Sequence, residues 1–461
     1  MGPDWEKLSG EEGRDVTSGR FKRMLRVGAL GASVGASTAL RKVSRAVRAK
    51  GSDEEDADGV FRSRQADKVL KVLGEMKGAT MKVGQILSSD PDLIPPEFVE
   101  KLTELQRDAP PMTYRTVQQI IEDAFEAPLS DVFETFDPQP VGSASIGQVH
   151  HARLRSGEEV AVKVQYPGIC DTLESDLRNL TSLLTLARVV ADRERVEAYN
   201  HEVREALEQE MDYEGEAARL AHFHGVFSHM PGITCPKPYP EWTRKNVLTM
   251  SFIHGNKLDD ALNAVELGPE RDAILTRWCE LYSWMLHELH ELHADPHPGN
   301  FILTEDNQLA VLDFGCVKRC DPRAADGILD ILDACWQKDE SRIAGLYKGL
   351  GFGRAGCDDS VFDPALLQAY HELCLAPFLK DEPFAFGEWE MRRAVQDFML
   401  ENPAILKLVP PAEFLLMYRV LGGIKGLLNK LDARINVHRM AVDLARRRGR
   451  LTAEPILTDP T

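Results

Sequence analysis

An α+β chain in two lobes is what this sequence predicts, with strands gathered before residue 255 and helices dominating after it. Three observations lead there. Short strand-like runs at 141–154 and 159–165 flank the turn Ser156-Gly157, and helical spacing governs most of the chain beyond 271. Between these regimes lies the polar run His293-Ala294-Asp295-Pro296-His297-Pro298-Gly299-Asn300. Asp313-Phe314-Gly315 follows it across a predicted hairpin. Strands first and helices later, with such a cluster at the join, describe two lobes rather than one repeating unit.

Length and composition narrow the class. The chain has 461 residues, enough for two or three domains, and 43% apolar with 28% charged residues marks an ordinary globular protein. The net charge of −18, from 55 basic and 73 acidic residues, argues against general nucleic-acid binding. Eight scattered cysteines form no C-x-x-C pair, so reduced thiols are expected rather than a zinc site or a disulfide frame.

The elements follow in order. Residues 1–60 read as a tail, in which 20–50 carry nine basic residues and no acid before the acidic run Asp53-Glu54-Glu55-Asp56. The uncharged stretch 27–40, with Gly28, Gly31 and Gly35, is too short to span a bilayer; it fits either a small-residue helix face on an anionic membrane or a basic tail. The acidic start argues against a transit peptide and favours a bacterial cytoplasm, peripheral to the inner face of the membrane. Residues 61–139 form a helical extension, from Val69, Leu70, Val72, Leu73, Met76 and Met81 at helical spacing, with Pro91, Pro95-Pro96 and Pro110-Pro111 at turns. A strand-rich lobe is expected at 140–255, its character changing at Pro140, with a helical insertion at 172–227 and a strand at 245–253. The helical lobe, 256–450, starts with a helix at 271–292. It includes a hairpin at 301–312 over Asp306-Asn307 and a core helix near 415–428 despite Arg419 and Lys425. Residues 451–461 are a polar tail.

The polar clusters carry chemistry. Asp295 has the position of a carboxylate that orients a nucleophile, and Asn300, five residues on, that of an amide reaching magnesium. Asp313 can bridge the metal and nucleotide phosphates. Upstream, Gly142-Ser143-Ala144-Ser145-Ile146-Gly147 makes a tight strand–turn–strand whose small residues let backbone N–H groups approach phosphate. Ala144 stands where such loops carry a second glycine; its methyl is expected to make positive φ angles costly. Val160-Ala161-Val162-Lys163 places a lysine on an apolar strand, where it needs an anion. Glu210, Asp212, Glu214 and Glu216 crowd one segment, and on a single helix Glu210 with Glu214, or Asp212 with Glu216, would share a face. Either a solvated acidic face or a partner for Lys163 fits. Met250 and Ile253, within 248–253, fall on a strand suited to hold adenine. No A-P-E follows Asp313-Phe314-Gly315, so the usual peptide-docking segment is missing.

Lys82-Val83-Gly84-Gln85, the alanine-bearing loop through His150 and Glu210-Met211-Asp212 together resemble the UbiB/AarF atypical kinase family over about residues 62–440. The resemblance implies a protein-kinase-like fold whose N-terminal helical extension packs over the active site. It implies ATP and Mg2+ as cofactors, with Lys82 and Gln85 projecting toward Glu210 and Asp212. Glu216 would pair with Lys163, Asp295 would be the catalytic carboxylate, and Asn300 and Asp313 would hold magnesium. It also implies support of isoprenoid quinone (ubiquinone) biosynthesis, with protein-kinase activity suppressed because Lys82 shields the γ-phosphate. The implied partners are an anionic membrane or isoprenoid lipid, quinone-biosynthesis enzymes and a second copy as a homodimer, but no nucleic acid.

Two other readings compete. A small-molecule kinase of the aminoglycoside or choline type shares the His293–Asn300 layout but not the Lys82–Gln85 motif. An ATP-gated lipid-binding scaffold would retain the site and use binding alone. The basic segment generates a separate expectation: binding to anionic liposomes that weakens with salt, because screening removes the attraction within a Debye length. Equal binding to neutral vesicles at high salt, in a flotation assay, would refute it.

Overall fold

The computed structural model describes residues 112–144, 146–168, 204, 207–353 and 359–455. These fall into two compact units. One runs up to His229 and adds Cys235–Ile253 and Asp313–Gly315; the other comprises Met230–Thr234, His254–Leu312 and the chain from Cys316 onward. The architecture is α+β and protein-kinase-like, as the sequence predicts.

The first unit is built on a four-stranded antiparallel sheet. Its strands β1 (Phe133–Ala144), β2 (Gly147–Leu154), β3 (Glu159–Gln165) and β5 (Val247–Ser251) lie in that order. Strand alternation sorts its side chains. Ala152, Leu154, Val160, Val162, Val164 and Val247 pack with Val117 and Ile121 of α1 (Tyr114–Phe125) into one core. The opposite face carries Val149, paired with Lys163, and Ala161, paired with Met250.

The strand begins at Phe133 rather than at residue 141. Pro138 and Pro140 do not prevent this, because β1 is an edge strand and its register shifts on both sides of Pro140. Gln148 and His150, both buried, tie the bulged strand down. Gln148 Oε1 accepts the Met112 N–H (2.7 Å), its amide nitrogen meets His150 Nε2 (2.8 Å), and His150 Nδ1 meets the Asp137 carbonyl (2.8 Å). Burial lowers the His150 pKa, in keeping with a neutral ring within this network.

After the short α2 (Leu129–Val132), helix α3 (Tyr213–Phe227) belongs to the same unit. Here the single-helix reading of the acidic segment fails. Leu207 to Glu210 are helical, Met211 is a turn, and Asp212 is the N-cap of α3, its carboxylate accepting from Gly215 N–H (3.0 Å). An aspartate that satisfies an orphan N–H at a helix start ends whatever precedes it.

The second unit holds a small sheet, β4 (Ile233–Thr234), β9 (Leu309–Val311), β8 (Phe301–Leu303) and β6 (Asn256–Lys257), with β4 and β9 parallel. Around it lie α4 (Leu258–Ala264) and α5 (Pro269–Trp284), then β7 (Glu291–His293), paired with β10 (Val317–Arg319). The expected helix to residue 292 therefore stops early. A π-helical turn at Met285–Leu289 and a left-handed His290 (φ 56°) reverse the chain, and Leu292 enters the β7–β10 pair.

Helices α6 (Pro322–Trp336), α7 (Glu340–Gly349), α8 (Pro364–Cys374), α9 (Ala376–Leu379) and α10 (Met391–Glu401) follow, then α11 (Ala412–Lys430) and α12 (Val437–Arg447). The expected core helix is α11, with Phe414, Met417, Val420, Ile424, Leu427 and Leu428 buried along one stripe. Lys425 lies over the Trp389 ring (5.0 Å). The basic C-terminal run is neutralised locally: Arg448 meets Asp326 (2.9 Å) and Glu288 (3.2 Å), and Arg450 meets Asp326 and Asp330. Among the described residues, no helix is long and apolar enough to cross a membrane.

His371 reports on this unit. It is buried, its Nε2 meets the Tyr347 hydroxyl (2.7 Å), its Nδ1 meets the Cys335 thiol (3.4 Å), and burial pulls its pKa down to about 4. A folded-state pKa below the unfolded value contributes stability above pH 6.5 that is lost as pH falls toward 4. The urea stability of the wild type is expected to fall between pH 7 and pH 5 by about 2 kcal/mol more than that of His371→Gln. Equal losses would remove His371 from the account.

Candidate active site

The centre of the first unit is a buried ionic cluster. Lys163 on β3 is 5% exposed and Glu216 on α3 only 1%. The ammonium donates to Glu216 Oε1 (2.8 Å) and Oε2 (3.0 Å), and to Asp313 Oδ2 (3.3 Å). Burial by itself would lower the lysine pKa. Asp313 and Glu216 outweigh it and hold the ammonium well above the ordinary lysine value. Burial raises the Glu216 pKa and Lys163 opposes it, while Asp313 and Glu210 add to the rise. Two carboxylates, Glu216 and Asp313, share one ammonium, an arrangement that suits a site that receives a metal ion.

Asp313, Phe314 and Gly315 are pinned against α3 in three ways. Phe314 is fully buried and stacks on Phe223 (4.6 Å between centroids, 25° between planes). Arg219 Nε donates to the Phe314 carbonyl (2.7 Å), and Arg219 Nη2 reaches the carbonyls of Gly315 (3.4 Å) and Gln209 (3.2 Å). The Gly315 N–H is received by Asp313 Oδ1 (2.7 Å). Glu210, also buried, lies beneath this turn: its Cγ is 3.2 Å from where a Gly315 side chain would begin. Sequence reasoning missed Arg219. Its only signal is a position three residues after Glu216, on a helix that spacing alone did not delimit.

The phosphate-loop candidates lie at the β1–β2 turn, where Ala144 pairs with Gly147 across residues 145 and 146. Ala144 is not among the residues with positive φ, so its methyl costs no backbone strain in this turn. Gly147 is required for a different reason than phosphate approach: a Cβ there would lie 2.3 Å from the Val164 carbonyl oxygen and 2.9 Å from the Tyr213 hydroxyl. Tyr213, unremarked in the sequence, is fully buried. Its hydroxyl has no hydrogen-bond partner among the described residues, and the Lys163 ammonium sits 5.0 Å from its ring centre. Met250 lies on the Lys163 face of the sheet; Ile253 follows the end of β5 and is half-buried. Lys82, Gln85 and Ser145 fall outside the described residues.

In the second unit the loop after β7 is held from within. The Asp295 N–H donates to His293 Nδ1 (3.3 Å), the Asn300 amide donates to the Asp295 carbonyl (3.2 Å), and the Ala294 N–H donates to the Cys316 carbonyl (2.9 Å). His297 closes the turn by accepting the Gly299 N–H (3.0 Å). Tyr282 stands behind His293 (3.5 Å), and burial followed by the Asp295 charge pushes its pKa well up. With its nitrogen engaged, Asn300 is left with an oxygen to offer a cation. Carboxylate and amide oxygens are the hard donors magnesium prefers, and with nucleotide phosphates present one or two of them suffice. The donor set fits the ion.

This architecture defines a protein-kinase-like domain. The chain belongs to the UbiB/AarF family: the ABC1 atypical kinase-like domain matches residues 104–347. A chloroplastic aarF domain-containing protein kinase of Arabidopsis thaliana is 34% identical over 325 residues, 69% of this chain and 45% of that protein. The mitochondrial atypical kinase coq-8 of Caenorhabditis elegans is 29% identical over 380 residues, 80% of this chain and 49% of that protein. The chain thus spans about half the length of these relatives. Among solved structures, the erythromycin complex of Rv3197 from Mycobacterium tuberculosis superposes with a TM-score of 0.59 at 26% identity, covering 85% of this chain and 98% of that one.

Removing one member of a buried ion cluster strands the others. Lys163→Met is expected to lower unfolding free energy by about 3–5 kcal/mol, and adding Glu216→Leu to recover part of it. Chemical denaturation of both variants checks this. An additive double variant would mean that the pair is not coupled.

Proposed function

We infer that this chain is an atypical kinase or ATPase of the UbiB type that uses magnesium-bound ATP in support of isoprenoid quinone biosynthesis at a membrane. The observation that supports this most is the buried Lys163–Glu216 pair with Asp313 on the same ammonium. A lysine fixed by a helical glutamate and facing a metal-type aspartate is the arrangement phosphoryl transfer requires. In this reading Lys163 holds nucleotide phosphates and Glu216 keeps it aimed. Met250 and Ile253 border the base, while Ala144, Ser145 and Gly147 line the phosphate side. Asp313 and Asn300 hold magnesium, which when bound offsets phosphate charge. Asp295 orients the attacking oxygen. Lys82 and Gln85, with Glu210 and Asp212, shield the γ-phosphate from a protein acceptor, so that water is the acceptor left.

The quinone assignment rests on relatives named coq-8 and COQ8B, the latter from Danio rerio and 26% identical over 94% of this chain. The proposed partners are an anionic membrane or isoprenoid lipid and quinone-biosynthesis enzymes.

Phosphate release from Mg-ATP, with and without anionic liposomes and a quinone-precursor phenol, tests the reading. Wild-type release should rise with liposomes, and Asp313→Asn should lower it by about 100-fold or more. No nucleotide binding and no release by the wild type would overturn the proposal. Transfer to a soluble alcohol instead of water would mark a small-molecule kinase.

A further inference from the structure

We propose that Gly423 on α11 is a positioning residue for the catalytic loop, seating Pro296 and through it Asp295. This rests on the role given to Asp295 above, and it concerns a helix more than a hundred residues downstream of the loop.

The geometry is specific to one glycine. A Cβ built at Gly423 would lie 2.7 Å from Pro296 Cγ, 3.7 Å from its Cδ and 4.0 Å from its Cβ. Carbon atoms in contact settle at about 3.5–4.0 Å, so a methyl group here overlaps the ring by nearly 1 Å. At Gly422 and Gly426, on the same helix, nothing among the described residues lies within 4 Å of the corresponding point. Glycine is a poor helix former, and three in five positions weaken α11. Only the middle one has a steric reason to be there.

Neither side of the contact yields cheaply. Helix α11 is anchored by Met417, Val420, Ile424, Leu427 and Leu428, all buried on the stripe that adjoins Gly423, so it cannot withdraw without opening the core. The proline ring can move its Cγ only by a change of pucker, which leaves its Cβ and Cδ beside the same point, and its φ is fixed. Pro296 is bonded directly to Asp295, whose N–H and carbonyl are held by His293 and Asn300. Those bonds restrain Asp295 from one side, and the Pro296–Gly423 contact restrains it from the other. A methyl at 423 therefore pushes on the loop, and the displacement reaches the Asp295 backbone.

The test compares wild type, Gly422→Ala, Gly423→Ala, Pro296→Ala and the double variant Gly423→Ala/Pro296→Ala in the full chain. Two readouts are used: Mg-ATP turnover, and hydrogen exchange of peptides covering 291–303. Gly422→Ala should leave both unchanged, with a melting temperature equal to or above wild type. Gly423→Ala should lower kcat by about 10- to 100-fold with KM for ATP little changed, and should speed exchange in the loop. In the Pro296→Ala background, which removes Cγ and Cδ, the same substitution should change kcat by less than about twofold. A fall of equal size in both backgrounds, or unchanged kcat and exchange in Gly423→Ala, overturns the proposal. Should the wild type hydrolyse no ATP, the functional reading fails, and the exchange data still decide whether Gly423 seats the loop.

Discussion

The described part of the first unit depends on one buried ammonium. Lys163 sits inside a β-strand whose neighbours Val162 and Val164 are wholly apolar, and nothing in that strand compensates its charge. Glu216 comes from a helix beginning 50 residues later, and Asp313 from a segment 150 residues away. The buried Glu216 carboxylate would be costly there without the lysine, and the buried lysine would be costly without a carboxylate on it. Strand β3, helix α3 and the Asp313–Gly315 turn are thereby linked by electrostatics as well as by packing.

Other contacts make that linkage rigid. Arg219 reads the backbone of the Asp313-Phe314-Gly315 turn through two carbonyls, and the Phe223–Phe314 stack fills the space beneath. The turn is therefore set by a helix rather than by its own sequence. In the proposed function Lys163 holds phosphate and needs such over-determination, because a displacement of about 1 Å is costly in phosphoryl transfer. The loop around Asp295 follows a different design, in which local bonds from His293 and Asn300 fix the backbone and a distant glycine leaves room for a proline ring.

Much of this was legible in advance. The β2–β3 hairpin, the 301–312 hairpin and the core helix around 415–428 appear as expected, because strand alternation, turn chemistry and helical periodicity are local properties; the Lys163–Glu216 pair is the one that the family resemblance implied. The failures have local causes too. Asp212 broke a helix that charge spacing had drawn as continuous, since a capping aspartate and a helical one look alike until the N–H it satisfies is known. Edge position let β1 accept two prolines. His290 took a left-handed conformation that histidine only occasionally adopts, and ended a helix that periodicity had prolonged.

What the sequence determined by itself is the class of chemistry. The identity and order of Lys163, Glu216, Asp295, Asn300 and Asp313 name a phosphoryl-transfer apparatus whatever their coordinates, since residue type sets charge, donor hardness and pKa range. What only the tertiary structure decided is which unremarked residues hold these groups in place. Arg219, Tyr213 and Gly423 leave no local signature, because their roles consist in distances to atoms far along the chain. Such distances exist only once packing has brought those segments together.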